Sequence, residues 1–378
     1  MPYRHPLVVA FAALILTACG GSAGDDPPVV TSAVKVVGDS LNDSGTFGIK
    51  FTVQGATTPY PIWTERVATA VSVPTLCPRY TAALVVKPAP STCTSYGVGG
   101  ATINPPGTLN DATPRSVVHQ LKDVRAQGPY NPQDLLLVDG GGNDLADLTS
   151  AYLKVPTDAG AAFESLVEEL LTSPEMVAAG SREAAATAYA TKLADLLANA
   201  ISTEALDRDA QRVVVITAPD ITRTPKFLAV LAGVKSQVDG AGGDGTAQAA
   251  AVKALVNQWV MAFNTQLKTR FNLHPRVAVV DFYAELNKWL DWPADYGLTT
   301  TNTSTPACPR IGTDGDGLPI YSIATCTDAS LSAAPPVGES GPDWWKRYVF
   351  SDDFHGTPRT NELMANLVIK TLEAKGWK

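Results

Sequence analysis

Histidine is scarce in this chain, with only His5, His119, His274 and His355 among 378 residues. A reaction that needs a general base near neutral pH therefore has few candidates. Cysteine is nearly as rare at five, with no C-x-x-C pair and no histidine beside any pair, so the spacing of a zinc site is missing. Only 17% of residues are charged and the balance is −8. A chain this short of positive charge has no electrostatic footprint for nucleic acid or for anionic lipid headgroups. H-E-x-x-H, Walker A and a strand-following G-x-G-x-x-G are all absent, and with them the usual signals for a metal or nucleotide cofactor. No internal repeat and no second domain boundary is visible.

What the chain does have begins at its N-terminus. Arg4 and His5 precede an apolar run, Leu7 to Leu16, too short to span a bilayer as a mature helix. The run ends in Leu16-Thr17-Ala18-Cys19, which resembles a bacterial lipobox; the alternative is an ordinary secretory cleavage with a stray cysteine. The reading is a signal peptide over residues 1–18, acylation at Cys19, a flexible tether over 19–32 and one folded domain over 33–378. The protein is then expected to be exported and held at the outer membrane or cell surface by its N-terminal lipid alone, since the charge balance is acidic. The other cysteines fall as two local pairs, Cys77 with Cys93 and Cys308 with Cys326. Four cysteines allow three pairings; the local one is favoured, because each pair brackets a Pro-, Thr- and Ser-rich loop. Each closure is worth about 3 kcal/mol of chain entropy.

From residue 33 the chain alternates strands and helices. Strands are expected at Ala33–Val37, Asp134–Val138, Arg212–Thr217 and Arg276–Val280. Helices are expected at Pro61–Ala70, Thr113–Gln127, Ala161–Leu171, Ser181–Ser202, Pro225–Val234, Gly245–Arg270 and Thr357–Lys375. Residues 293–343 read as a long irregular insert. Alternation of this kind indicates a three-layer α/β/α sandwich with a central parallel sheet.

Ligands of such sheets bind at the carboxyl ends of the strands. After the first strand comes Gly38-Asp39-Ser40-Leu41, expected to expose Ser40 at the start of a helical segment. After the second comes Gly141-Gly142-Asn143-Asp144. Near the chain end, Asp352-Asp353-Phe354-His355 is expected to open the last helix, with both titratable groups on one turn. A serine nucleophile needs a base in hydrogen-bond reach and a carboxylate that fixes the base's tautomer. Ser40, His355 and Asp352 are the candidates for these roles. His5 leaves with the leader, and His119 and His274 lie in a helix and at a strand entrance, positions suited to solvated or structural histidines.

At these positions the chain resembles the GDSL/SGNH hydrolase family, in its lipase-like branch. The serine block is Gly38 to Leu41, extended by Asn42-Asp43-Ser44-Gly45. The glycine block is Tyr96-Gly97-Val98-Gly99-Gly100-Ala101, the asparagine block Gly141 to Asp144, and the terminal block Asp352 to His355. The order is the family's own. One departure is Gly356, where many members carry proline, which puts the rigidity of that loop in question. The resemblance implies an SGNH, flavodoxin-like fold and an oxyanion hole formed by the backbone N–H groups of Ser40 and Gly99 with the side-chain amide of Asn143. It further implies a carboxylesterase- or lipase-type hydrolase that uses no cofactor and no metal on a small-molecule or lipid ester. Asp39 and Asp144 are expected to hold loops.

Gly20-Gly21-Ser22-Ala23-Gly24 spells a nucleophile elbow but has no strand before it, and Ser32-Ala33-Val34-Lys35 spells S-x-x-K without its partner motifs. Thr313 to Gly317 suggests a calcium loop yet lacks further ligands at the right spacing; an acidic surface turn is the simpler reading. Trp289, Trp292, Trp344, Trp345, Tyr348 and Phe350 either line an acyl or aryl pocket or pack the insert onto the core. Acyl transfer to a lipid or glycan hydroxyl, or a non-catalytic envelope role, are the alternatives to hydrolysis. The motifs carry no signal for oligomeric state.

Overall fold

The computed structural model describes residue 1 and residues 29–378, apart from 75, 90, 108–111 and 302. The leader, the lipobox cysteine and the first of the two decoy motifs lie outside these residues.

In chain order the elements are β1 (Ala33–Val37), α1 (Trp63–Ala70), α2 (Val117–Ala126), β2 (Asp134–Val138), α3 (Gly142–Leu153), α4 (Val155–Asp158), α5 (Ala161–Val167), α6 (Ser173–Ala179) and α7 (Arg182–Glu204). They continue with β3 (Arg212–Ile216), α8 (Pro225–Gly240), α9 (Gly245–Arg270), β4 (Val277–Val280), α10 (Phe282–Asp291), β5 (Arg310–Thr313), β6 (Pro319–Tyr321), α11 (Asp328–Ala333) and α12 (Pro358–Ala374).

Strands β1 to β4 pair in that order, all parallel. Their near-continuous Val/Leu/Ile runs suit a sheet buried on both faces. Alternate residues sort accordingly. Val37, Leu136, Val138, Val213 and Val215 join the core made with α2, α3, α5, α7 and α9. Val36, Leu135, Leu137, Val214 and Ile216 join the core made with α1, α10 and α12. This is the expected three-layer α/β/α arrangement.

Residues 94–96 lie along the free edge of β1. Val36 N–H donates to the Thr94 carbonyl (3.0 Å) and Tyr96 N–H to the Val36 carbonyl (2.7 Å), with a parallel bridge from Val36 to Ser95. The chain thus leaves β1 to one side before crossing back to β2 on the other. The ends of β1 and β2 therefore flank a topological switch point, where a crevice opens in such sheets.

Three sequence expectations are corrected. The insert is not irregular: it holds the β5–β6 hairpin and α11, and Trp344, Trp345, Tyr348, Cys308 and Cys326 form a small core of their own with Val53 and Leu331. Of the aromatic residues, Trp344, Trp345 and Tyr348 pack the insert, Trp289 joins the core made with α1, α10 and α12, Trp292 is exposed, and Phe350 lines the cleft beside Ser40. Helices α3 and α10 were not expected. The α3 sequence opens with Gly, Asn and Asp and carries Thr and Ser in its middle, so intrinsic propensity is weak; burial of Leu145 and Leu148 carries it. Finally, Ser40 is buried in a turn with no helix after it, and Asp352 to His355 form a bend that ends before Pro358 opens α12. Both local disulfides are formed, Cys77–Cys93 and Cys308–Cys326.

Candidate active site

The turn after β1 is shaped by what surrounds Gly38. Its φ is +148°, and a Cβ there would fall 1.9 Å from Asp139 Oδ1, so only glycine fits. The fully buried Gln120 side chain reads both Gly38 backbone groups, accepting from its N–H (2.7 Å) and donating to its carbonyl (3.0 Å). The next amide, Asp39 N–H, donates to Asp139 Oδ1 (3.2 Å), and Asp39 Oδ1 accepts from Leu41 N–H (2.9 Å). These bonds fix the backbone on both sides of Ser40. Burial pushes the Asp39 and Asp139 carboxyls upward, and Asp139, with Asp39 beside it, rises much further.

The loop after β4 and the insert brings the terminal block to this turn. Asp352 Oδ1 accepts the backbone N–H of Phe354 (2.9 Å) and of His355 (2.7 Å), an Asx turn that projects the imidazole back over its own carboxylate. His355 Nδ1 lies 2.7 Å from Asp352 Oδ2, and His355 Nε2 lies 2.8 Å from Ser40 Oγ. The three predicted residues meet, although Ser40 and His355 are 315 positions apart. Gly356 is packed into this loop. Its missing Cβ leaves the room that Thr360 occupies (2.8 Å), and its carbonyl accepts from Ser351 Oγ (3.0 Å).

Electrostatics follow from that geometry. Burial disfavours a charged His355, but the charge of Asp352 and its hydrogen bond outweigh burial, and the imidazole pKa sits above its ordinary value. Asp352 is also buried; the facing His355 and the two amide donors hold it below its ordinary value, so it stays ionised.

The oxyanion side requires one correction. Gly99 N–H is already spent: it donates to Asp43 Oδ2 (2.9 Å). A Cβ at Gly99 would meet the Phe51 ring at 2.2 Å, and that ring packs 4.9 Å from the His355 ring. The N–H groups of Ser40 and of the neighbouring Gly100 have no acceptor among the described residues. Asn143 stands in the first turn of α3 behind Gly141, whose φ of +100° breaks the strand direction and whose Cβ would meet Phe263 at 2.7 Å. One Asn143 amide hydrogen is donated to the Ala101 carbonyl (2.8 Å), which orients the group and leaves the other unspent.

Two buried carboxylates bind the blocks together. Asp43 accepts from Gly45 (2.9 Å), Thr46 (2.7 Å) and Gly99, tying the serine block to the glycine block. Asp144 accepts from Ile103 and Asn104, both at 2.9 Å, tying the glycine block to α3, and burial pushes it up to about 7. Asp144 and Asp39 do hold loops, as expected. Asp43 stood in the serine block with no role assigned to it, and Asp139, Gln120 and Phe51 were not singled out. Of these, Asp43 had a signal, because Asp-Ser-Gly-Thr is an Asx-turn string.

The family model for GDSL-like Lipase/Acylhydrolase matches residues 34–368 of the chain. No curated protein matches it. Among solved structures, a member of the lipolytic protein G-D-S-L family from Veillonella parvula DSM 2008 is similar at 13% identity with a TM-score of 0.37, over 90% of this chain and 98% of that one.

Proposed function

Because this chain belongs to the GDSL-like lipase/acylhydrolase family, we propose that it is a serine ester hydrolase that cleaves carboxylic esters through an acyl-enzyme on Ser40. The observation that carries the reading is the unbroken line from Asp352 Oδ2 through the His355 ring to Ser40 Oγ, with contacts of 2.7 and 2.8 Å. His355 Nε2 takes the hydroxyl proton as Oγ attacks the ester carbonyl. Asp352 holds the proton on Nδ1 and stabilises the imidazolium that forms. The protonated Nε2 then passes its proton to the departing alcohol oxygen, which leaves the acyl group on Ser40. Water, deprotonated by the same nitrogen, attacks the acyl carbonyl and releases the acid. The chain's own residues supply nucleophile, base and acid, so no cofactor enters a step.

Charge develops on the carbonyl oxygen in both halves. Its donors are the free N–H groups of Ser40 and Gly100 and the unspent amide hydrogen of Asn143, which replaces Gly99 by Gly100 in the expected set. Losing one such donor costs about 10² to 10³ in turnover. Asn143→Ala is therefore expected to lower kcat on p-nitrophenyl acetate by that factor with KM nearly unchanged. The stability cost is about 1 kcal/mol for the lost bond to Ala101. Wild-type turnover in the variant would remove Asn143 from the hole. Hydrolysis of p-nitrophenyl esters from acetate to palmitate, with loss in Ser40→Ala, tests the activity itself.

Export and lipid anchoring at Cys19 belong to the same proposal. Two formed disulfides support an oxidising compartment, and among the described residues no helix is long and apolar enough to cross a membrane. Cys19→Ser is expected to move the protein from the membrane fraction to the soluble exported fraction; retention in the membrane fraction contradicts the anchor.

A further inference from the structure

A groove of about 340 Å³ opens beside the catalytic loop, against about 50 Å³ in the cleft that Ser40 lines. Only the larger falls in the range of ligand-sized pockets. Phe354 and Thr224 line both spaces, so the two meet at the residue that precedes the catalytic histidine. The junction is held in place: Lys226 N–H, in the first turn of α8, donates to the Asp353 carbonyl (2.9 Å). A wall of the groove is therefore bonded directly to the loop that carries His355.

The apolar part of the lining suits an alkyl chain. Leu153 comes from α3, Val230 and Val234 from α8, and Leu318 from the hairpin, while Ser150, Lys154, Lys226, Gln237 and Asp316 bring polar atoms to the same lining. The Thr149 and Thr224 hydroxyls, which also face this space, are spent on the Leu145 and Ile221 carbonyls (both 2.7 Å). Helix α8 is itself unusual for a surface helix. Its run Phe-Leu-Ala-Val-Leu-Ala-Gly-Val buries only Phe227, and Leu228, Val230, Leu231 and Val234 are left half-covered. Leu231 and Val234 pack partly against the main core, and Val230 and Val234 line the groove.

The insert completes the groove. Cys308–Cys326 closes the base of the segment that contains β5 and β6. At the other end, Asp314 Oδ1 accepts from Asp316 N–H (3.0 Å) and Leu318 N–H (2.8 Å). The acidic string that suggested calcium is thus a turn whose carboxylate is taken up by its own backbone, and it sets Leu318 at the groove.

We propose that this groove receives the unbranched alkyl arm of the ester cleaved at Ser40, with the stapled hairpin as its third wall. The proposal rests on the hydrolase reading above. The alkyl arm is either the acyl chain or the alkoxy chain, and two substrate series separate them. The acyl arm lengthens from p-nitrophenyl acetate to butyrate to octanoate; the alkoxy arm lengthens from ethyl to butyl to octyl acetate.

For the full chain, kcat/KM is expected to rise at least tenfold along one series. Val230→Trp, which fills the groove, should erase that rise while leaving the shortest ester within twofold. Leu318→Asp, on the half-exposed hairpin, should do the same without touching either helix. A wild-type rise along neither series, or a rise that both variants retain, overturns the groove and leaves the hydrolase reading standing. Absence of cleavage of every ester by the wild type overturns both. Because the shortest ester reports folding and triad together, a variant that merely misfolds loses it as well, and the other variant then decides.

Discussion

Ser40→Ala is expected to reduce kcat on a p-nitrophenyl ester by about 10⁶-fold, with Tm unchanged. The size of the loss follows from the nucleophile's role: without Oγ no acyl-enzyme forms, and an oxyanion hole alone recovers only a small part of the rate. The unchanged Tm follows from the structure around it. Ser40 Oγ makes one hydrogen bond, to His355 Nε2, while the turn is held by Gln120, Asp139 and Asp39 through backbone groups that alanine retains. A thermal melt beside the kinetic assay checks both halves. Substantial residual turnover would assign the chemistry to another residue.

The second large effect is at Asp352. Asp352→Asn is expected to lower kcat by about 10⁴ and to move the acid limb of the pH profile. In the wild type, His355 must be neutral to accept the Ser40 proton, and its pKa is raised. Activity on kcat/KM should therefore fall as pH drops through a value above the ordinary histidine pKa of about 6.5. The asparagine oxygen can still accept from Phe354 and His355 N–H. Its NH₂ would then meet Nδ1, driving the proton to Nε2, the atom that has to act as base. With the negative charge gone, burial weighs more heavily, so the residual activity should show an acid limb at lower pH than the wild type. An unchanged limb would mean that Asp352 does not set the base's protonation.

Much of the site was legible because its chemistry is written in short local strings. The serine, asparagine and terminal blocks each follow a strand or precede a helix, and four apolar runs gave the strands nearly to the residue. Interactions that join one block to another were not legible. Val-Gly-Gly-Ala offers two successive amides, and nothing local tells that Gly99 is the one spent on Asp43, 56 positions away. Asp139 looks like any residue at a strand end until Gly38 and Asp39 are folded against it. Helix α3 was invisible to propensity, since its weak formers are held by burial of Leu145 and Leu148. The hairpin was hidden in a stretch rich in Thr, Asp and Gly, where Cys308 and Cys326 close the ends and Asp314 makes the turn.

Whether Ser40 is an activated nucleophile is read from the intact mass of the protein after exposure to a fluorophosphonate, with digestion to locate the adduct. The expected result is one phosphonyl group per chain, on the peptide containing Ser40, and none in Ser40→Ala or His355→Ala. No adduct, or an adduct on another residue, would contradict it and leave the family fold without the serine chemistry proposed for it.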